Sequence, residues 1–343
     1  MNPQSWITVI VIATTGLTIN TPQALASLGT VSATIDAASN YYAYNPTTEL
    51  VNILRKYEQN ISCQTSAENQ PSIHYQIWIN RSIALQQQKK YHKSLNCLDL
   101  ALALQSNSPQ AWYRRGIALS HLKQYAQAAY SYQQAIRLNP AEHTSWYNLG
   151  NAYKRLGKNQ QSLAAYQQAI ALKPNFYVAH YQLGKVLTRI GKYEQAINAY
   201  QEATYLEPEY HQAWYSQGSL LYQLKRYDEA LAVYQKSLKY KPEQHQAWYN
   251  LGNIQLRLKN YQKAIAAYEV AIELKPDYHL AWNNHGAALE ALKKNQEALK
   301  SYSHALQVNP SYEKAFNNRR RLLTLIDNDN AMLSNISDIT DTQ

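Results

Sequence analysis

The stretch His245-Gln-Ala-Trp248-Tyr249-Asn250-Leu251-Gly252-Asn253-Ile254-Gln-Leu-Arg257-Leu258-Lys259-Asn260, continued by Tyr261-Gln-Lys-Ala264-Ile265-Ala-Ala-Tyr268-Glu-Val-Ala271-Ile272-Glu-Leu-Lys-Pro276-Asp-Tyr278, reads as two helices and two stops. Trp248, Leu251, Ile254 and Leu258 recur at three- and four-residue steps, the period of a helix that buries one face. A turn is expected near Lys259-Asn260. Ala264, Ile265, Tyr268, Ala271 and Ile272 then give a second amphipathic helix, which Pro276 ends by removing a donor and crowding the preceding turn.

The same pattern extends outward in both directions with a period of 34 residues. Trp78, Trp112, Trp146, Trp214, Trp248 and Trp282 stand 34 or 68 residues apart; His180 holds the skipped place and Phe316 the next one. Gly116, Gly150, Gly184, Gly218, Gly252 and Gly286 follow four residues after each aromatic position. Tyr132, Tyr166, Tyr200, Tyr234, Tyr268 and Tyr302 keep the register, as do prolines from Pro140 to Pro310. A glycine inside a helix costs roughly 0.5–1 kcal/mol against alanine, so its repetition implies a close approach that offsets the loss. The expectation is that Gly252 admits the second helix of its own unit, opposite small residues such as Ala264, while tryptophan and tyrosine fill the spaces between units. No single hairpin can bury its apolar face alone, so the units must stack.

These residues resemble the tetratricopeptide family, whose pattern places Trp, Leu-Gly, Tyr, Ala, Tyr or Phe, Ala and Pro at fixed offsets. The resemblance implies an all-α fold, a right-handed solenoid superhelix of antiparallel helical hairpins. It covers seven repeats, at 75–108, 109–142, 143–176, 177–210, 211–244, 245–278 and 279–312. The first is degenerate, with Ser82 for glycine, Leu98 for tyrosine and Ser106 for proline, as befits an end of a stack. A solvating helix over 313–326, opened by Phe316, closes the array, and the polar, acidic stretch 327–343 reads as a disordered tail. Upstream, Leu50, Val51, Ile53, Leu54 and Tyr57 form one more apolar stripe, a capping helix within an extension over 27–74.

The 343-residue chain has thirty tyrosines beside two phenylalanines, and a net charge of +10 that favours acidic partners. Residues 1–26 combine an uncharged apolar core with Ala24-Leu25-Ala26, so a signal peptide cleaved after Ala26 is expected. That places the protein in the periplasm or an equivalent lumen, with no integral membrane segment after cleavage; an uncleaved membrane anchor is the alternative. Export would also permit a disulfide between Cys63 and Cys97, themselves 34 residues apart. No Cys/His spacing suggests a metal site, and His143, His211, His245 and His279 recur too far apart to share an ion. No nucleophile–base pair, paired carboxylates or phosphate loop stands out from the repeat. The chain therefore reads as a non-enzyme with no cofactor and no small-molecule substrate.

The family resemblance implies that first helices line an inner wall where extended peptides or short helices bind. The groove positions there hold Tyr113, Tyr147, Tyr181, Tyr215 and Tyr249, with Asn148, Asn151, Asn250 and Asn253 beside them. The family's protein-glycosylating member grips peptide backbone with such an asparagine ladder; its chaperone adaptors use a lysine clamp at the position where this chain has tyrosine. First helices also carry Arg81, Arg114, Arg115, Lys154, Arg155, Lys185, Arg189 and Arg257 against one acid, Glu290, whereas second helices mix in Glu194, Asp228, Glu229 and Glu269. A concave wall of one sign favours an anionic partner. The expected function is an exported scaffold that binds an acidic or extended polypeptide segment and serves the assembly of a larger complex. Nucleic-acid binding through the same basic groove, which the sparse basic residues argue against, and a spacer without ligand are the alternatives.

Overall fold

The computed structural model describes residues 71–340. The fifteen helices among the described residues are α1 (Pro71–Gln87), α2 (Tyr91–Leu104), α3 (Pro109–His121), α4 (Tyr125–Leu138), α5 (His143–Arg155), α6 (Asn159–Leu172), α7 (Tyr177–Arg189), α8 (Tyr193–Leu206), α9 (His211–Gln223), α10 (Tyr227–Tyr240), α11 (His245–Arg257), α12 (Tyr261–Leu274), α13 (His279–Ala291), α14 (Asn295–Val308) and α15 (Glu313–Thr340). They belong to two compact units, one ending at Leu172 and one beginning at Lys173. Unit 1 holds three hairpins, α1–α2, α3–α4 and α5–α6; unit 2 holds four, α7–α8 through α13–α14, and α15.

Within each unit the packing follows one rule. A second helix packs on the first helix of its own hairpin and on that of the next, and first helices of neighbouring hairpins also touch one another. First helices thus form a continuous row in each unit. The core of unit 1 shows how the hairpins share apolar surface: Leu119, Tyr132 and Ile136 of the second repeat meet Leu149, Ala152 and Tyr153 of the third.

The repeated residues have separate tasks. A Cβ built on Gly252 would lie 2.5 Å from the Tyr268 ring, and one on Gly116 would lie 2.5 Å from that of Tyr132. The glycine therefore makes room for a tyrosine of its own hairpin, not for Ala264, and that tyrosine also packs against the next repeat, as Tyr132 does against Leu149 and Tyr268 against Ala288. The degenerate first repeat confirms the pairing: where leucine (Leu98) replaces the tyrosine, serine (Ser82) replaces the glycine, and both are fully buried. The tryptophans act as straps. The indole N–H of Trp146, Trp214, Trp248 and Trp282 donates to the carbonyl of Pro140, Pro208, Pro242 and Pro276, at 2.9, 2.9, 2.7 and 2.8 Å. His180 serves at the skipped place because its imidazole Nε2 reaches the Pro174 carbonyl at 2.9 Å.

Every turn inside a hairpin contains one residue in the left-handed region, at 89, 123, 157, 191, 225, 259 and 293. Glycine fills two of these places and lysine the other five, with φ near 60°.

The end of the chain departs from expectation. The final helix was expected to stop at residue 326, with a disordered tail after it; instead α15 runs to Thr340. Charge alone does not break a helix, and no glycine or proline occurs after Pro310 to do so. The signal peptide, the N-terminal extension and Cys63 lie outside the described residues; Cys97 is buried in the first hairpin.

Candidate functional site

The tyrosine row is built from the same logic as the core. Tyr113 and Tyr147 in unit 1, and Tyr181, Tyr215 and Tyr249 in unit 2, are half-buried on their first helices. Each ring leans on the buried tyrosine of its own hairpin, with centroids 5.7–6.0 Å apart. Such tilted pairs add about 0.5–1.5 kcal/mol beyond the area they bury. Burial pushes the hydroxyls of Tyr132, Tyr166, Tyr234 and Tyr268 well above the usual phenol range, and that of Tyr200 to about 12.

The asparagines tie this row together. The amide nitrogen of Asn148 donates to the Tyr113 hydroxyl at 3.1 Å, one repeat back, and Asn250 does the same to Tyr215 at 3.2 Å. Asn284 repeats the bond to Tyr249 at 3.2 Å. The oxygens of Asn151 and Asn253 accept from the buried Tyr166 and Tyr268 hydroxyls at 2.7 and 2.8 Å. Part of each amide's capacity is thus spent inside the stack, which fixes the tyrosine rings. Asn284 was not singled out in the sequence; its position, one period after Asn250, was the signal that could have found it.

In unit 2 two further tyrosines, from the turns between repeats, join the row. Tyr210 meets Tyr181 edge-on at 5.1 Å, and Tyr278 meets Tyr249 at 5.1 Å. Burial raises the Tyr278 hydroxyl to about 12. The Lys185 ammonium lies 5.4 Å from the Tyr181 ring centroid, a cation–π contact. Arg257 is held more basic than usual by its bond to the Tyr222 hydroxyl. In unit 1 Arg114 is half-buried, burial lowers its pKa, and its Nε has no hydrogen-bond partner among the described residues.

The remaining basic residues lie on first helices, toward one end of them. Lys154, Arg155, Arg189 and Arg257 all sit in the last turn of their first helices. They adjoin the turns that carry Lys158, Lys192 and Lys259. Positive charge therefore gathers at one end of the hairpins, where first helix turns into second, more than along the middle of the row.

Family models described as tetratricopeptide repeat match residues 81–145, 143–176, 181–239, 228–279 and 279–312, and the chain belongs to this family. It is a repeat scaffold for protein–protein interaction, a fold whose members are typically non-catalytic. Among solved structures it is similar to the C-terminal part of a repeat protein from Cytophaga hutchinsonii, with TM-score 0.62, 17% identity and coverage of 70% of this chain and 98% of that one. It is also similar to YrrB, described as a repeat protein with an unusual peptide-binding site, with TM-score 0.51, 20% identity and coverage of 56% and 99%. A third similar structure is PilF from Pseudomonas aeruginosa, with TM-score 0.53, 15% identity and coverage of 62% and 97%. No curated protein sequence matches the chain. At these identities the similarity speaks for the fold alone.

Proposed function

We propose that the chain is an exported, non-catalytic scaffold that holds an extended segment of another polypeptide on the tyrosine row of its first helices. The observation that carries this is the fixed row Tyr181, Tyr215 and Tyr249, whose hydroxyls are bonded to the following repeat and whose rings stay half-exposed. Rings held in one orientation lose little entropy when a partner covers them, which makes them effective anchors. Lys185, Arg189 and Arg257 flank that row, so the segment is acidic. The peptide-binding site described for YrrB is consistent with such use of the fold.

Pull-down from the native envelope fraction, with wild type and a Lys185→Glu, Arg189→Glu, Arg257→Glu variant, identifies the partner and tests the row. Binding of the captured segment should fall by roughly tenfold or more in the variant, and Tyr215→Ala should weaken it at every salt concentration. A partner retained in full by both variants would move the site off the first helices. Retained RNA in place of protein would favour the nucleic-acid alternative, and no retained partner the spacer. Export is tested separately, by the mass of the mature chain: an N-terminus at Ser27 is expected.

A further inference from the structure

The turns inside the three hairpins of unit 1 share one edge, and that edge is basic without exception. Residues 86–93, 120–127 and 154–161 contribute Lys89, Lys90, Lys93, Lys123, Lys154, Arg155 and Lys158, and contain no Asp or Glu. All are exposed except Lys154, which is half-buried. None of Lys89, Lys90, Lys93, Lys123, Arg155 and Lys158 enters an ion pair among the described residues. Lys89 and Lys123 also occupy the left-handed position that suits glycine, with φ of 58° and 61°. Where glycine does take that place, at Gly157, the next residue is Lys158, so each turn keeps a positive charge.

We infer that this edge docks unit 1 onto an anionic phospholipid surface. The chemistry of the row favours a lipid surface over other polyanions. Six of its seven cations are lysines, flexible and strongly hydrated point charges that suit a diffuse negative surface; bidentate reading of a particular phosphate or carboxylate calls for arginine. The charges stand in the turns and on the helix ends beside them, strung along an edge. Single-stranded RNA needs open aromatic faces for its bases, yet Tyr91, the aromatic next to Lys90, is stacked face-on against His121 at 4.3 Å. The edge is separate from the tyrosine row, and its role does not depend on the polypeptide ligand proposed for that row.

Flotation of the full chain with phosphatidylcholine vesicles, with and without about 30% phosphatidylglycerol, tests the assignment at about 0.1 M and 0.5 M salt. Binding should require the anionic lipid and weaken steeply with salt. Each lysine near such a surface is worth roughly fivefold in partition, so Lys90→Glu, Lys93→Glu, Lys158→Glu should lower it on the order of a hundredfold. A control with the same change of net charge, Lys236→Glu, Lys239→Glu, Lys241→Glu in unit 2, should lower it less than fivefold. The corresponding Lys→Gln variant of the edge, which adds no repulsion, should show an intermediate loss with an unchanged circular dichroism spectrum. Equal losses in edge and control variants, equal binding by edge variant and wild type, no anionic-lipid binding at the lower salt, or tighter retention on single-stranded RNA would each overturn the inference.

Discussion

Residues 75–172 carry eleven Lys and Arg against two acids, Asp99 and Glu142, whereas residues 173–343 carry twenty against seventeen. The two regions spend their charge differently. In unit 2 Arg226 pairs with Glu194 at 2.9 Å and Glu229 at 2.6 Å, Lys294 approaches Glu297 at 3.4 Å, and Arg321 meets Glu290 at 2.6 Å. In unit 1 only Arg115, bonded to Asp99 at 2.8 Å, joins a permanent cation to a carboxylate among the described residues. Such exposed pairs add little stability, so the difference concerns what each unit offers to others. One repeat thus supports a compensated surface in unit 2 and an uncompensated one in unit 1. The glycine–tyrosine contact, the tryptophan strap and the left-handed turn are common to both.

The contact also has a gradation that mutation can expose. A Cβ on Gly116 would meet three Tyr132 ring atoms at 2.5–2.8 Å, while one on Gly218 would meet Tyr234 at 3.1 Å. Overpacking of a buried ring costs typically 1–3 kcal/mol, and alanine recovers up to about 1 kcal/mol of helix propensity. Gly116→Ala should therefore destabilise its hairpin by about 1–3 kcal/mol, and Gly218→Ala should come out near zero. Hydrogen exchange in α3 and α9 reads the two losses separately, since stacked repeats open locally. Equal losses would mean the tyrosine shifts freely in both units and the glycine has another cause.

The second difference lies at the residue before each glycine. Unit 1 has Arg115 and Leu149 there, and unit 2 has Leu183, Gln217 and Leu251; only unit 2 adds an imidazole, His285, largely buried, with Nδ1 2.9 Å from the Ser301 hydroxyl and Nε2 3.7 Å from Glu269. Desolvation lowers its pKa and outweighs the opposing pull of Glu269 and Glu297. An imidazole that stays neutral when folded is fully stabilising above the ordinary histidine value of about 6.5. As pH falls below that value, the unfolded chain takes up a proton the folded repeat refuses, and stability declines until the lower folded pKa is passed. Thermal melts near pH 7.5 and 5.5 should separate for wild type and converge more closely for His285→Leu. An unchanged pH slope in that variant would assign the effect elsewhere.

The fold was legible because packing residues recur at a fixed spacing. Trp, Gly, Tyr and Pro in one register can only be a stack of equal hairpins, and the helix bounds follow from it. The partner of each residue was less legible. Gly252 and Tyr268 lie sixteen residues apart, and nothing in a linear reading says that one faces the other; the exchange of both in the first repeat, Ser82 with Leu98, was the hint. The tryptophan bond to a proline carbonyl joins a side chain to backbone, which leaves no trace in residue types except His180. The row residues were found, but their hydrogen bonds to Asn148, Asn250 and Asn284 depend on the stagger between repeats. Charge was sorted by helix, which hid its clustering at one end, because Arg155 and Lys158 fall on different sides of a helix boundary yet on one edge.

The left-handed lysines give the smallest effect and the sharpest test of the two units together. Lys123 in unit 1 and Lys259 in unit 2 hold φ of 61° and 60°, a conformation glycine adopts without steric cost. Lys123→Gly and Lys259→Gly should each stabilise their hairpins by about 0.5–1 kcal/mol, since relief of strain exceeds the entropy that glycine adds to the unfolded chain. The two gains should match, because the turn is the same. Their effects on surface binding should not: Lys123→Gly removes a cation from an edge that has no acid, whereas Lys259 belongs to a unit whose charges are balanced. Partition onto anionic vesicles should therefore fall severalfold for the first and hardly move for the second. A matching loss in both would make net charge, and not its placement on unit 1, the quantity that matters.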